Sequence, residues 1–112
     1  MKRSRYGVKR ARTSDGRSYA SAWERECAAN LRLMEKAGAI SDLKEQVSFA
    51  LVVNGITIER YIADFVYTDK RTGLHVVADA KNGLITADYK RKRKWMKAAH
   101  GITITELHKR GR

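Results

Sequence analysis

The chain has 112 residues, 43% of them hydrophobic, enough for one domain with a modest core and too few for two. Its 24 Lys and Arg against 12 Asp and Glu give a net charge of +12, which points to a polyanionic partner. There is no apolar run of membrane-spanning length, no apolar stretch behind the basic start to make a signal peptide, and only one cysteine, Cys27. Composition therefore excludes a membrane span, a disulfide framework and a cysteine-based zinc knuckle, and an intracellular protein is expected.

Residues 1–18 hold seven basic residues and one acid with no apolar period, and are expected to form a basic flexible arm ahead of a single domain over 19–112. Such an arm either lies along a phosphate backbone or only solubilises the chain. Ser21-Ala22-Trp23-Glu24 has the spacing of a capping box and predicts a helix start. Trp23, Cys27, Ala28, Leu31, Met34 and Ala37 continue as an apolar stripe at helical spacing, and Gly38 supplies a left-handed end. Cys27 reads as a small core residue. Glu24 lies at the edge of the stripe, with its carboxylate expected toward the sheet.

Residues 39–44 read as a connection and 46–53 as a strand, turned by Asn54-Gly55, the strongest short hairpin signal a sequence offers. Residues 56–67 return as a second strand, with an irregularity expected near Glu59-Arg60. Residues 74–81 form a third, behind a polar loop over Lys70 to Gly73. Residues 82–86 are a loop, and a second helix is expected from Asp88 to about His100, with Gly101 beyond its end. Lys90, Arg91, Lys92, Arg93, Lys94 and Lys97 put six cations into eight positions of that helix with no acid among them. Like charges at i,i+4 destabilise a helix unless something neutralises them, so phosphate contact is expected here, the plain alternative being a solvated face. Residues 102–107 alternate as a last strand.

The third strand carries the chemistry. If the loop is four residues long, Asp69 faces Leu74, Asp64 lies opposite Asp79, and Lys81 shares their face. Directly opposed like charges destabilise a sheet, whereas Mg²⁺ is held by just such carboxylates together with waters and substrate phosphate. Val66 and Val77 fall on the same face, so the acids border a buried surface rather than open solvent. His75, His100 and His108 are scattered and fit no metal spacing.

The order helix, three strands, helix, strand, with Asp64 on the second strand and Asp79-Ala80-Lys81 on the third, resembles the PD-(D/E)xK nuclease superfamily. More narrowly, Ser21 to Glu24, Lys36-Ala37-Gly38-Ala39-Ile40, Gln46, Tyr61 to Phe65 and Tyr89 to Lys92, followed by Gly101-Ile102, resemble a group of short phage and prophage proteins of Holliday-junction-resolvase type. The resemblance implies a restriction-endonuclease-like α/β (α+β) domain with a mixed sheet. It makes Asp64 and Asp79 metal ligands completed by Glu24, with the Ala80 carbonyl and Gln46 nearby. It makes Lys81 the residue that orients or activates water, and Lys92 a contact to the scissile strand. Ala63 stands where the motif has proline, and Asp79 where the narrower group more often has Glu.

The function so implied is Mg²⁺-dependent cleavage of branched or structured DNA, with Mn²⁺ able to substitute, no organic cofactor, a homodimer that cuts two strands, and the cytoplasm, that of the host if phage-encoded, as its place. Lys90, Arg91, Lys92, Lys94 and Lys97 are the expected DNA contacts. The reading from a different class is a non-catalytic basic nucleic-acid-binding protein, in which Asp64 and Asp79 are ordinary surface acids.

Overall fold

A computed structural model describes residues 11–12 and 18–109. Of the expected arm, residues 1–10 and 13–17 lie outside the described residues; β1 (Ala11–Arg12) pairs antiparallel with β2 (Ser18–Tyr19). Ser21 Oγ accepts the Glu24 amide at 3.1 Å and so caps α1 (Ala22–Lys36), as the sequence predicts. Cys27, Ala28 and Leu31 of its stripe are buried, while Met34 and Ala37 face solvent, and Gly38 takes the left-handed position at φ 85°.

Strand β3 spans Ile40–Val53 and starts well before residue 46. The expected connection over 39–44 is therefore mostly strand. A bulge between Ser41 and Lys44, with Asp42 at φ 56°, breaks the alternation that would have revealed it. The Asn54-Gly55 turn leads into β4 (Ile56–Asp69), whose irregularity falls where Leu51 pairs with Glu59 and Val52 with Thr57. Strand β5 (His75–Lys81) pairs with β4 in the expected register, Val66 with Val77 and Thr68 with His75, and the Asp69 amide donates to the Leu74 carbonyl across the loop. Thr86, not Asp88, caps α2 (Ala87–His100) through its Oγ1, and Gly101 at φ 68° ends it. The connection returns β6 (Thr105–His108) parallel to β5.

The result is a single α+β domain with a four-stranded mixed sheet in the order β3-β4-β5-β6 and two helices. Two apolar layers cover it. Cys27, Ala28 and Leu31 of α1 pack on Ile40, Phe65 and Ala78, whereas Tyr89 and Met96 of α2 pack on Leu51, Tyr61, Ala63 and Val77. Adjacent residues Phe65 and Val66, and likewise Ala78 and Val77, enter different layers, so the helices cover opposite faces. Among the described residues no helix is long and apolar enough to cross a membrane.

A change of face within the sheet positions the site. Strict alternation would keep Ala63 with Phe65 and Glu45 with Phe49. Instead Ala63 and Phe49 enter the α2 layer, while Phe65 packs against α1 and Glu45 bonds Tyr19 and Arg32 on that side. Both strands change face at Gln46 and Asp64, which stand between the Glu45–Phe65 and Val47–Ala63 pairs, and Gln46 has φ 56°.

Candidate functional site

At this change of face the β4–β5 ladder opens. Phe65 and Ala78 are still partners; one step on, the Asp64 amide donates to Asp79 Oδ1 at 2.8 Å and the Ala80 amide donates to Asp64 Oδ2 at 3.0 Å. Amides released by the diverging strands need acceptors, and the two carboxylates supply them. The directly opposed Asp64–Asp79 pair expected from the register is not made as a ladder pair, since Phe65 and Ala78 are the last partners; the two acids meet through these bonds instead. The amides offset part of the repulsion, so a cation is not the sole source of positive charge there. The balance still falls short at Asp64, whose carboxyl is raised from 3.8 to about 6 by burial and then by the charge of Asp79, against the Ala80 amide, Gln46 and Lys81, which lower it.

Glu24 reaches the same place from the first turn of α1, and is only 6% exposed. Its Oε2 accepts Gln46 Nε2 at 2.9 Å, and the same nitrogen lies 3.5 Å from Asp64 Oδ1. Gln46 thus links the acid of α1 to the acid of β4. Cys27 packs behind them as a core residue, its thiol raised to about 11 by burial and by Asp64, Glu26 and Glu24.

On the α2 side, Asp79 accepts a hydrogen bond from the Tyr61 hydroxyl on Oδ2, and Lys81 Nζ lies 3.6 Å from the same oxygen. The Lys81 ammonium also sits 3.5 Å from the centre of the Tyr89 ring. The buried Tyr89 ring is anchored by its hydroxyl, which donates to Glu106 Oε2 at 2.8 Å, and Arg93 and His108 also bond Glu106. Burial pushes the Glu106 carboxyl up, but these three donors outweigh it and hold the group at about 2. Burial and the neighbouring carboxylates push the Tyr61 and Tyr89 hydroxyls above their ordinary range, so both remain protonated donors.

The cations of α2 fall into two sets that overlap at Arg91. Arg91 pairs with Glu59 and Asp88, and Lys92 lies 3.3 Å from Asp88 and 3.8 Å from Glu59, which ties the helix to the β3–β4 hairpin. Lys90, Arg93, Lys94 and Lys97, together with Arg91, line a groove against Thr103 and Ile104, with Lys97 Nζ 3.1 Å from Thr103 Oγ1. Sequence spacing alone does not separate these sets, and the DNA contacts expected from it omit Arg93.

The structure brings Asp64, Asp79 and Lys81 together, with Glu24 joined through Gln46. Among the described residues no group of three or more His, Cys, Asp or Glu is gathered as a metal set. The oxygen-rich chemistry of the residues present is nevertheless of the kind a hard divalent cation takes: carboxylate oxygens of Asp64 and Asp79 meet across the opened ladder, and Glu24 is joined to Asp64 through Gln46. Tyr61, Tyr89 and Glu106 are not among the site residues expected from sequence, because strand and helix aromatics read as core. No family model, curated protein or solved structure matches this chain.

Proposed function

We propose that the protein is a metal-dependent endodeoxyribonuclease of PD-(D/E)xK type, acting on branched or structured DNA. The observation that carries this reading is the Asp64–Asp79 pair at the opened end of β4 and β5, with Lys81 3.6 Å from Asp79. Accepting the two released amides does not by itself require ionisable acids, and Asp64 is raised to about 6 by burial and the charge of Asp79, as perturbed groups at functional sites often are.

In this reading Asp64 and Asp79 hold Mg²⁺ or Mn²⁺ with Glu24 beside them. A cation held there would supply polarisation of the phosphate and a water of lowered pKa. Lys81 presents an ammonium to a phosphate oxygen or to the attacking water, and the Tyr89 ring fixes where that ammonium sits. The groove lined by Lys90, Arg91, Arg93, Lys94 and Lys97 accepts the phosphate backbone. A second copy would supply the second cut, and exposed Ile58 and Ile62 on β4 offer it an apolar surface.

The test is cleavage of a labelled panel of duplex, flap and four-way-junction DNA with Mg²⁺, with Mn²⁺ and with chelator. Metal-dependent cuts that vanish in Asp64→Ala support the reading. Tight binding with no cut on any substrate supports the non-catalytic nucleic-acid-binding alternative, which uses the same groove.

A further inference from the structure

An extended strand has no need of a residue at φ 56°. The left-handed region costs a residue other than glycine about 1–3 kcal/mol, and glycine or asparagine fills it more cheaply. Gln46 nevertheless occupies it, at the residue where β3 changes face, and its side chain is directed onto two acids from different elements. The strain therefore has a counterpart in what the side chain does.

What it does depends on which end of the amide faces the acids. Nε2 lies 2.9 Å from Glu24 Oε2 and 3.5 Å from Asp64 Oδ1, an arrangement that only the NH₂ end tolerates, because an amide oxygen there would repel both carboxylates. A divalent cation beside Asp64 reverses that preference. The amide oxygen is then a hard, neutral ligand, and half a turn about the last side-chain bond brings it forward without moving the backbone. A glutamate at the same position would offer an oxygen only by adding another negative charge to a site where Asp64 is already raised.

We propose that Gln46 has two roles at this site: its Nε2 holds Glu24 and Asp64 together, and its Oε1, after an amide flip, ligates the divalent cation. This rests on the metal-dependent reading above and adds a ligand from β3 to the acids of α1, β4 and β5. Gln46 is a ligand candidate and does not act on the phosphate.

Calorimetric titration of MnCl₂ into the parent, Gln46→Met, Gln46→Glu and Asp64→Asn tests it. A second measurement follows the Gln46 side-chain NH₂ signals of the parent during MgCl₂ titration, assigned by their absence from Gln46→Met. The expected result is Asp64-dependent Mn²⁺ binding, about tenfold weaker in Gln46→Met, at least as tight in Gln46→Glu, with the Gln46 NH₂ signals shifting in step with Mg²⁺ occupancy. Parent-like affinity in Gln46→Met together with unmoved NH₂ signals at saturation overturns the ligand role and leaves the metal site standing. No Asp64-dependent binding in the parent overturns the metal-dependent reading, and the role of Gln46 with it. Gln46 is the sole glutamine of the chain, so its NH₂ pair can also be identified in the parent through its own side-chain carbons, and the parent decides the matter even if Gln46→Met fails to fold.

Discussion

Asp64 and Asp79 stand just beyond the last β4–β5 pair, Phe65 with Ala78, and their carboxylates are turned onto backbone amides of the facing strand, Asp79 onto Asp64 N–H at 2.8 Å and Asp64 onto Ala80 N–H at 3.0 Å. Two like charges are thereby held close without unpaired backbone groups. The arrangement is asymmetric. Asp79 also receives the Tyr61 hydroxyl and the Lys81 ammonium, whereas Asp64 has the Gln46 amide at 3.5 Å as its further donor. The raised Asp64 carboxyl has burial as its first cause and the charge of Asp79 as its second.

The first prediction concerns pH. Because the Asp64 carboxyl is raised from 3.8 to about 6 in the folded protein, the fold binds this proton more tightly than the unfolded chain does. Its contribution to stability is complete below about pH 4 and is lost as pH rises through 6, at a cost of roughly 3 kcal/mol at 1.36 kcal/mol per pH unit. Urea denaturation of the metal-free parent and Asp64→Asn at pH 4 and pH 7 isolates the group. The variant should gain on the parent by about that amount at the higher pH. A difference independent of pH would show that Asp64 titrates normally.

Which features are legible in the sequence follows from which rules hold locally. The hairpin register is legible because the polar loop ending in Gly73 fixes it, and with it come Asp64, Asp79 and Lys81. Glu24 is legible because one residue both follows a cap and edges an apolar stripe. The role of Gln46 is not, since nothing in a Gln between Glu45 and Val47 signals φ 56° or two strands rolling over together. The start of β3 is hidden by the bulge at Asp42, and Arg91 looks like a free cation because its partner Glu59 lies 32 residues away. The parallel β6 is open to inference: a strand, helix, strand run within one sheet ordinarily returns parallel.

The two sets of α2 cations should separate in a salt titration. Replacing Lys90, Lys94 and Lys97 by Ala removes groove charges with no acid partner described, and should flatten the log–log dependence of DNA affinity on salt by about 0.9 for each phosphate that is no longer neutralised. Arg91→Ala should flatten that slope less than loss of an unpaired groove lysine and also lower the thermal midpoint, because Arg91 lines the groove but is paired with Glu59 and Asp88. Equal slopes for the parent and the triple variant would remove the groove from the DNA-facing surface.

Lys81 separates binding from cutting. Its removal leaves Asp79 with the Tyr61 hydroxyl and the Asp64 amide, so the fold and DNA affinity should be nearly unchanged, while cleavage should fall by about 10²-fold, as loss of a positioned catalytic group typically costs. Tyr89→Phe keeps the ring under the ammonium and loses the hydroxyl interactions with Glu106 and Arg93, so it should cut close to the parent rate. Single-turnover rates with affinities measured in parallel check both. A Lys81→Ala protein that cuts like the parent would remove the lysine from the chemistry.

Glu24 is where structural and catalytic readings diverge most. The bond that opens α1 runs from the Glu24 backbone amide to Ser21 Oγ, so a change in the side chain does not touch it. Glu24→Gln also retains an amide oxygen able to accept Gln46 Nε2, the bond the carboxylate now makes at 2.9 Å. The thermal midpoint should therefore stay close to that of the parent. The change does remove one negative charge from a site proposed to hold a divalent cation, and an amide is a weaker Mg²⁺ ligand than a carboxylate, so metal affinity and cleavage should both fall. Calorimetry with MnCl₂ alongside the cleavage panel decides the point. Parent-like affinity and rate in Glu24→Gln would make Glu24 a buried anchor for Gln46 and reduce the catalytic set to Asp64, Asp79 and Lys81.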